Sequence, residues 1–193
     1  LGFFFSIPFR VAEGIGFVID NQRGTGMAAV FDPMAGGEVT PLAVLLLRAV
    51  IVLFVSAGGM LVLFKGILLS YQVYPVVSAF PSFQPALPLG ILSVADKIMA
   101  SILILTAPVM IALFTSEFGL GLVNRFAPAL NVFFLAMPIK SAIAVLMLAL
   151  MMPTLVDTFL REFADGDRKM LDFLGILLQP VEPFDPAAAP PGA

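Results

Sequence analysis

Residues 41–71 read PLAVLLLRAVIVLFVSAGGMLVLFKGILLSY. Arg48 and Lys65 are the only charged side chains in the run, and no strand-like alternation passes through it. A fully buried strand occupies about 4–8 residues, so so long an apolar run reads as helix. It is long enough to cross a hydrocarbon layer of about 30 Å. Pro41 suits the helix start, where a missing N–H costs nothing. Midway, Ser56–Gly59 places four small residues together. Glycine costs about 1 kcal/mol in a helix interior, and close packing against a neighbouring helix is the return expected here in preference to a ligand site.

Three further apolar blocks flank this one. The first runs from Leu1 to about Ile19 and is broken by Pro8, Arg10 and Glu13. The third runs from Pro88 to Phe118 and the fourth from Ala129 to Phe159, with Pro108, Pro138 and Pro153 interrupting them. Between the blocks lie breaker-rich connections: DPMAGGEVTP at 32–41, YPVVSAFPSFQPALP at 74–88 and GLGLVNRFAP at 119–128. Four prolines in the second of these forbid a regular helix there, and the third is expected to turn. The stretch 154–178 reads as an amphipathic helix, a turn at ADGD and a further short amphipathic helix over 166–179, suited to docking on a partner or a membrane surface. The Pro/Ala-rich tail, 180–193, is expected to be disordered. The expected fold class is all-α, built from membrane-type broken helical hairpins.

Composition narrows the function. The chain is 60% hydrophobic and 12% charged, with a mean hydropathy of +1.06 and a formal charge of −3. So little charge cannot clothe a water-soluble surface, so lipid or other protein is the expected surroundings. There is no basic stripe for nucleic acid. With neither cysteine nor histidine, thiol nucleophiles, disulfides, histidine bases and the usual zinc ligand sets are excluded, and no metal or cofactor is expected. Tryptophan is absent too, leaving Tyr71, Tyr74 and phenylalanines for an interfacial belt. The sequence opens on Leu1 in the middle of what reads as an apolar element, so it is expected to lack its true start.

The apolar blocks also carry charge. Arg48, Lys65, Asp96, Lys97, Glu117, Lys140 and Asp157 lie within or at the edges of them. On the insertion scale a charge at a helix centre costs about 2.5–3.5 kcal/mol, so such residues usually face protein or water. Asp96, Glu117 and Asp157 could carry protons, but pairing between subunits or snorkelling at helix ends is the plainer reading.

The stretch GFVIDNQRGTGMAAVFDP, 16–33, gathers Asp20, Asn21, Gln22, Arg23 and Asp32 into a glycine-studded polar segment between two apolar ones. GTGMAA at 24–29 fits a dinucleotide-binding pattern, but that turn needs a βαβ unit and a later acidic residue, and neither is present. Glycine here is better read as backbone freedom.

That stretch, with SYQVYP at 70–75 and RFAPALNVFFLAMPIKSAIAVLML at 125–148, closely resembles the SctT family of type III secretion export-apparatus proteins, whose flagellar relative is FliR. The resemblance covers most of residues 1–165, and IDNQRG at 19–24 looks like the injectisome branch. It implies a non-enzymatic subunit, single-copy in its assembly, that closes a helical ring with SctR-like and SctS-like subunits, near SctU-like and SctV-like ones. That ring forms the entrance of a protein-secretion channel in the bacterial inner membrane, raised toward the periplasm, through which unfolded substrates pass. Segment 20–41 matches the family's plug loop in position, which points to Asp20, Asn21, Gln22, Arg23, Gly24, Gly26, Asp32, Pro33, Gly36 and Gly37 as gating residues. Asn131, Pro138 and Lys140 match the family's hairpin signature. Arg48, Lys65, Asp96, Lys97, Glu117 and Asp157 are then expected to meet sister subunits.

Two other readings need mention. A proton-coupled small-solute transporter would use Asp96, Lys97 and Asp157, although no internal repeat of the transporter kind is visible. An intramembrane aspartyl protease needs two convergent carboxylates, and the surroundings of Asp96 and Asp157 lack its motif.

Overall fold

The computed structural model describes residues 2–24, 40–73, 87–126 and 132–166. Among these every element is helical: α1 (Gly2–Arg23), α2 (Pro41–Ser56), α3 (Gly59–Val73), α4 (Leu87–Phe126) and α5 (Val132–Ala164). The all-α expectation therefore holds. Segments 25–39, 74–86, 127–131 and 167–193 lie outside the described residues, and with them Tyr74, the expected short C-terminal helix and the expected disordered tail.

Helix α1 is the centre of the packing. It lies against α2, α4 and α5, while α2 and α4 each also pack on α5. Two glycines permit this. A methyl group on Gly16 would overlap the backbone of Leu42 and Ala43 in α2, and one on Gly14 would overlap the Ile102 side chain in α4. Positions two apart lie about 200° around a helix, so the two glycines open opposite sides of α1 to two neighbours. Val11, Ala12, Ile15 and Ile19 fill the space between them and are buried. They meet Leu42, Leu46, Val50 and Phe54 of α2, Ile102, Val109 and Leu113 of α4, and Ala144, Leu148, Leu155 and Phe159 of α5 in one core. The four α2 residues recur every fourth position, which makes one continuous stripe.

Several boundaries differ from the sequence expectation. Helix α1 continues through Arg23, four residues past Ile19, so Asp20–Arg23 form its last turn and not part of a loop. Helix α4 continues through Phe126, eight residues past Phe118, so the expected turn over 119–126 is helical. Helix α5 carries the expected amphipathic segment as its own continuation to Ala164. Pro8, Pro108, Pro138 and Pro153 lie inside helices and do not end them. The common reason is apolar surroundings. A proline removes one backbone bond, whereas unravelling a turn away from water strands several N–H and C=O groups.

The run 41–71 is the opposite case, since it breaks where continuous helix was expected. Helices α2 and α3 meet at 74° across Ala57 and Gly58. Gly58 adopts φ +79°, a left-handed conformation that ends α2. Ala57 N–H donates to the Leu53 carbonyl at 2.9 Å, and Ser56 Oγ donates to the same oxygen at 3.0 Å. Gly59, next in line, lets the Phe54 ring lie against the backbone. The small quartet is thus a corner, with close packing confined to Gly59. Phe54 stacks edge-on to Phe9 at 5.4 Å and to Phe163 at 5.2 Å, fixing α1, α2 and α5 at that corner.

Leu92–Phe126 and Phe134–Ala164 are long and apolar enough to cross a membrane, and the bent α2–α3 pair passes the same test taken together. Their outer faces carry large exposed apolar side chains, including Ile104, Ile111, Phe118, Phe134 and Leu150. An apolar surface of this extent is one that lipid or other protein covers.

Candidate functional site

Of the polar residues at the end of α1, Asn21 is exposed, Gln22 and Arg23 are partly buried, and Asp20 points inward. Asp20 is fully buried, with an exposure of 0%. Its Oδ2 accepts the Leu42 backbone N–H at 2.8 Å, and its Oδ1 lies 2.6 Å from Arg23 Nη2. Local sequence explains the need. The first N–H groups of a helix have no partner within it. In α2, Pro41 has no N–H to satisfy, and Thr40 at the N-cap makes no side-chain capping bond. The second position, Leu42, is therefore capped from outside, by a carboxylate one turn along α1 from Gly16. Gly16 brings the two backbones together and Asp20 joins them.

The charges suit both helix ends. Asp20 sits at the positive N-terminus of α2, and Arg23 in the negative last turn of α1. Each also neutralises the other in a buried setting, where an unpaired charge would be costly. Arg23 Nε is buried without a hydrogen-bond partner among the described residues. Gly24 follows at φ +93°, with its N–H on the Asn21 carbonyl at 3.1 Å, and so ends the helix. Asn21 Nδ2 donates to the Phe17 carbonyl at 3.0 Å.

A second polar cluster lies beside the first. Glu117 of α4 accepts from Lys140 of α5 through Oε1, and its Oε2 accepts from Gln22 Nε2 of α1 at 3.4 Å. The Lys140 side chain is largely buried, while Glu117 is half exposed. Three helices are thereby joined by one carboxylate. Five of the residues singled out from sequence, Asp20, Gln22, Arg23, Glu117 and Lys140, fall into these two adjoining clusters.

The others are placed separately. Asp157 is exposed and pairs with Arg161 one turn along α5 at 2.9 Å. Asp96 and Lys97 are exposed on α4, Pro138 is exposed on α5, and Lys65 is exposed on α3 with an interaction of its own. Arg48 is exposed on α2 beside a groove against α5. Gly26, Asp32, Pro33, Gly36, Gly37 and Asn131 lie outside the described residues. Among the described residues no cluster of acidic side chains could hold a metal ion.

Sequence reading missed Gly14, Gly16 and the Leu42 N–H. The available signal was the spacing of Gly16 and Asp20, four apart and so on one helix face. What the arrangement does is mechanical. It ties the end of α1 to the start of α2, on either side of segment 25–39, and braces that junction on α4 and α5.

Comparison with known proteins gives the family. The family "Bacterial export proteins, family 1" matches residues 1–166. The chain is 43% identical over 150 residues to Yop proteins translocation protein T of Yersinia pestis, covering 78% of this chain and 58% of that protein. It is 36% identical over 163 residues to Surface presentation of antigens protein SpaR of Salmonella typhimurium, covering 83% and 60%. It is 29% identical over 153 residues to Flagellar biosynthetic protein FliR of Bacillus subtilis, covering 79% and 59%. The chain thus spans about three-fifths of the length of these relatives. With the family matched across nearly all of its helical residues, this chain belongs to the bacterial export proteins, family 1.

Proposed function

We propose that the chain is part of a non-enzymatic core subunit of a type III secretion export apparatus, which helps to form and to plug the entrance of the secretion channel. The observation that carries the reading is the Asp20–Leu42 bond, which closes the base of segment 25–39. A gate needs a firm frame at both ends of its moving part. Here one frame is buried, charge-neutral and braced by the Gln22–Glu117–Lys140 cluster. The sequence supplies glycines at 24, 26, 36 and 37, a residue type that permits the backbone freedom a plug would need in this reading.

The relatives' names support the wider setting. They speak of translocation, of surface presentation of antigens and of flagellar biosynthesis. The identity of 43% to the translocation protein, against 29% to the flagellar one, favours the injectisome branch. In this reading SctR-like and SctS-like subunits cover the exposed apolar faces in the inner membrane, with SctU-like and SctV-like subunits nearby and the ring raised toward the periplasm. Unfolded substrate passes through the lumen, and the driving force is supplied elsewhere in the machine.

The test uses the full-length protein in its assembled complex. Deleting Gly24–Gly37 leaves co-purification with the neighbouring subunits intact and raises the ion conductance of the closed complex. Unchanged conductance rules out the plug. A full-length chain that co-purifies with no other hairpin subunit rules out the ring.

A further inference from the structure

The groove between α2 and α5 takes no part in the gate. Leu46 and Val52 of α2 face Met152, Leu155 and Val156 of α5 across it, the apolar stem of Arg48 borders it, and its volume is about 420 Å³. Ligand sites occupy roughly 300–1,000 Å³, so the groove has the size of a small-molecule site. Each wall contributes about two helical turns, roughly 12 Å of length. That suits an alkyl chain lying between two helices. A packed partner helix, itself about 10–12 Å across with its side chains, needs a broader face.

Arg10, Arg23, Lys140 and Arg161 each have a carboxylate partner, whereas no hydrogen bond or ion pair holds Arg48, Lys97 or Arg125 among the described residues. Of these three, Arg48 is the one that borders the groove. Its helical neighbours Val44, Leu45, Ile51 and Val52 are all exposed and apolar. A guanidinium in such a face requires an anion, and the groove beside it requires an apolar body. On α5 the exposed Asp157–Arg161 pair neighbours the groove-lining Val156 and Phe159 in sequence, so polar surface begins beside the apolar wall. The long apolar stem of arginine can lay its charge at such a boundary.

We propose that this groove binds an anionic phospholipid, its phosphate on the Arg48 guanidinium and one acyl chain between Leu46 and Met152. Arginine recognises phosphate through two parallel N–H donors, which makes the headgroup charge part of the selection.

The full-length protein, in the complex it forms, is reconstituted with vesicles containing equal phosphatidylglycerol and phosphatidylcholine, then re-extracted, and the retained lipid is weighed by native mass spectrometry. The wild type retains phosphatidylglycerol in preference. Arg48→Gln weakens that retention by about tenfold, the loss of one charge-assisted contact, and Arg48→Lys keeps most of it. Ala49→Phe, which fills the groove, removes both lipids while the complex stays assembled. Equal retention of the two lipids by the wild type overturns the proposal. So does an Arg48→Gln complex that sheds a neighbouring subunit with its lipid content unchanged, which assigns Arg48 to a partner's carboxylate.

Discussion

Asp20 accepts the backbone N–H of Leu42 at 2.8 Å across 22 positions of sequence. One carboxylate thereby caps a helix that lacks a cap of its own and pairs with the arginine that closes the preceding helix. Removing it leaves both partners buried and unsatisfied. Asp20→Ala is expected to destabilise the protein by about 3–5 kcal/mol, the usual cost of breaking a buried pair from one side. Asp20→Asn keeps an oxygen for Leu42 but no charge for Arg23, so it falls between. Amide exchange at Leu42 in the detergent-solubilised full-length protein reads the bond directly. Protection at Leu42 that survives Asp20→Ala would show that the cap is supplied by another group.

The two glycines of α1 predict a contrast. At Gly16 an added methyl meets the backbone of Leu42 and Ala43, which cannot yield without moving α2. At Gly14 it meets the end of the Ile102 side chain, which can rotate. Gly16→Ala is therefore expected to cost more than the roughly 1–3 kcal/mol typical of overpacking, and Gly14→Ala to sit at or below that range. Thermal unfolding of the two variants, side by side, decides it. Equal losses would mean that the α1–α2 approach is looser than the geometry gives.

These two positions also show what could and could not be seen in advance. Helix class and the apolar blocks were plain, because runs such as 134–160 allow no other regular structure. The end of α1 was not. Asp20-Asn21-Gln22-Arg23 has the composition of a loop, and contacts from residues far along the chain, beside the local ones, help to hold it as helix. No local pattern encodes a cap supplied from another helix. Likewise Glu117 and Lys140 were visible as charges in apolar segments, but their pairing with each other and with Gln22 depends on how three helices cross. The break at Gly58 was hidden for a different reason. A glycine inside an apolar helix can equally relieve a close contact, and composition does not separate the two uses.

Gly58 and Gly24 both adopt left-handed conformations, at φ +79° and +93°, and nothing stands within 4 Å of a methyl at either position. The penalty for Gly58→Ala is therefore conformational alone, about 1–2 kcal/mol. Because the Gly58 turn sets the 74° corner between α2 and α3, partial relief by straightening is the alternative response. Spin labels introduced at Val52 and Leu68, both exposed, would report it, and the chain's lack of cysteine makes such labelling clean. An unchanged label distance with a small loss of stability is the expected result. A longer distance shows that the corner is held by Gly58 and not by the Phe9–Phe54–Phe163 cluster.

The Glu117–Lys140 pair spans α4 and α5, and its worth is best measured as a coupling. Glu117 is 48% exposed on its side chain, so solvent screens much of the attraction. A double-mutant cycle with Glu117→Gln and Lys140→Met is expected to return about 1 kcal/mol or less. The structural consequence is larger than that figure suggests, because Glu117 also accepts from Gln22, next to the base of segment 25–39. Glu117→Gln keeps an acceptor for Gln22 while releasing Lys140, whereas Glu117→Leu removes both bonds. If the cluster braces the gate, Glu117→Leu raises ion leak through the closed complex and Glu117→Gln does so less. Equal leak from the two variants would place the effect in the Lys140 pair alone, and no leak from either would detach this cluster from gating.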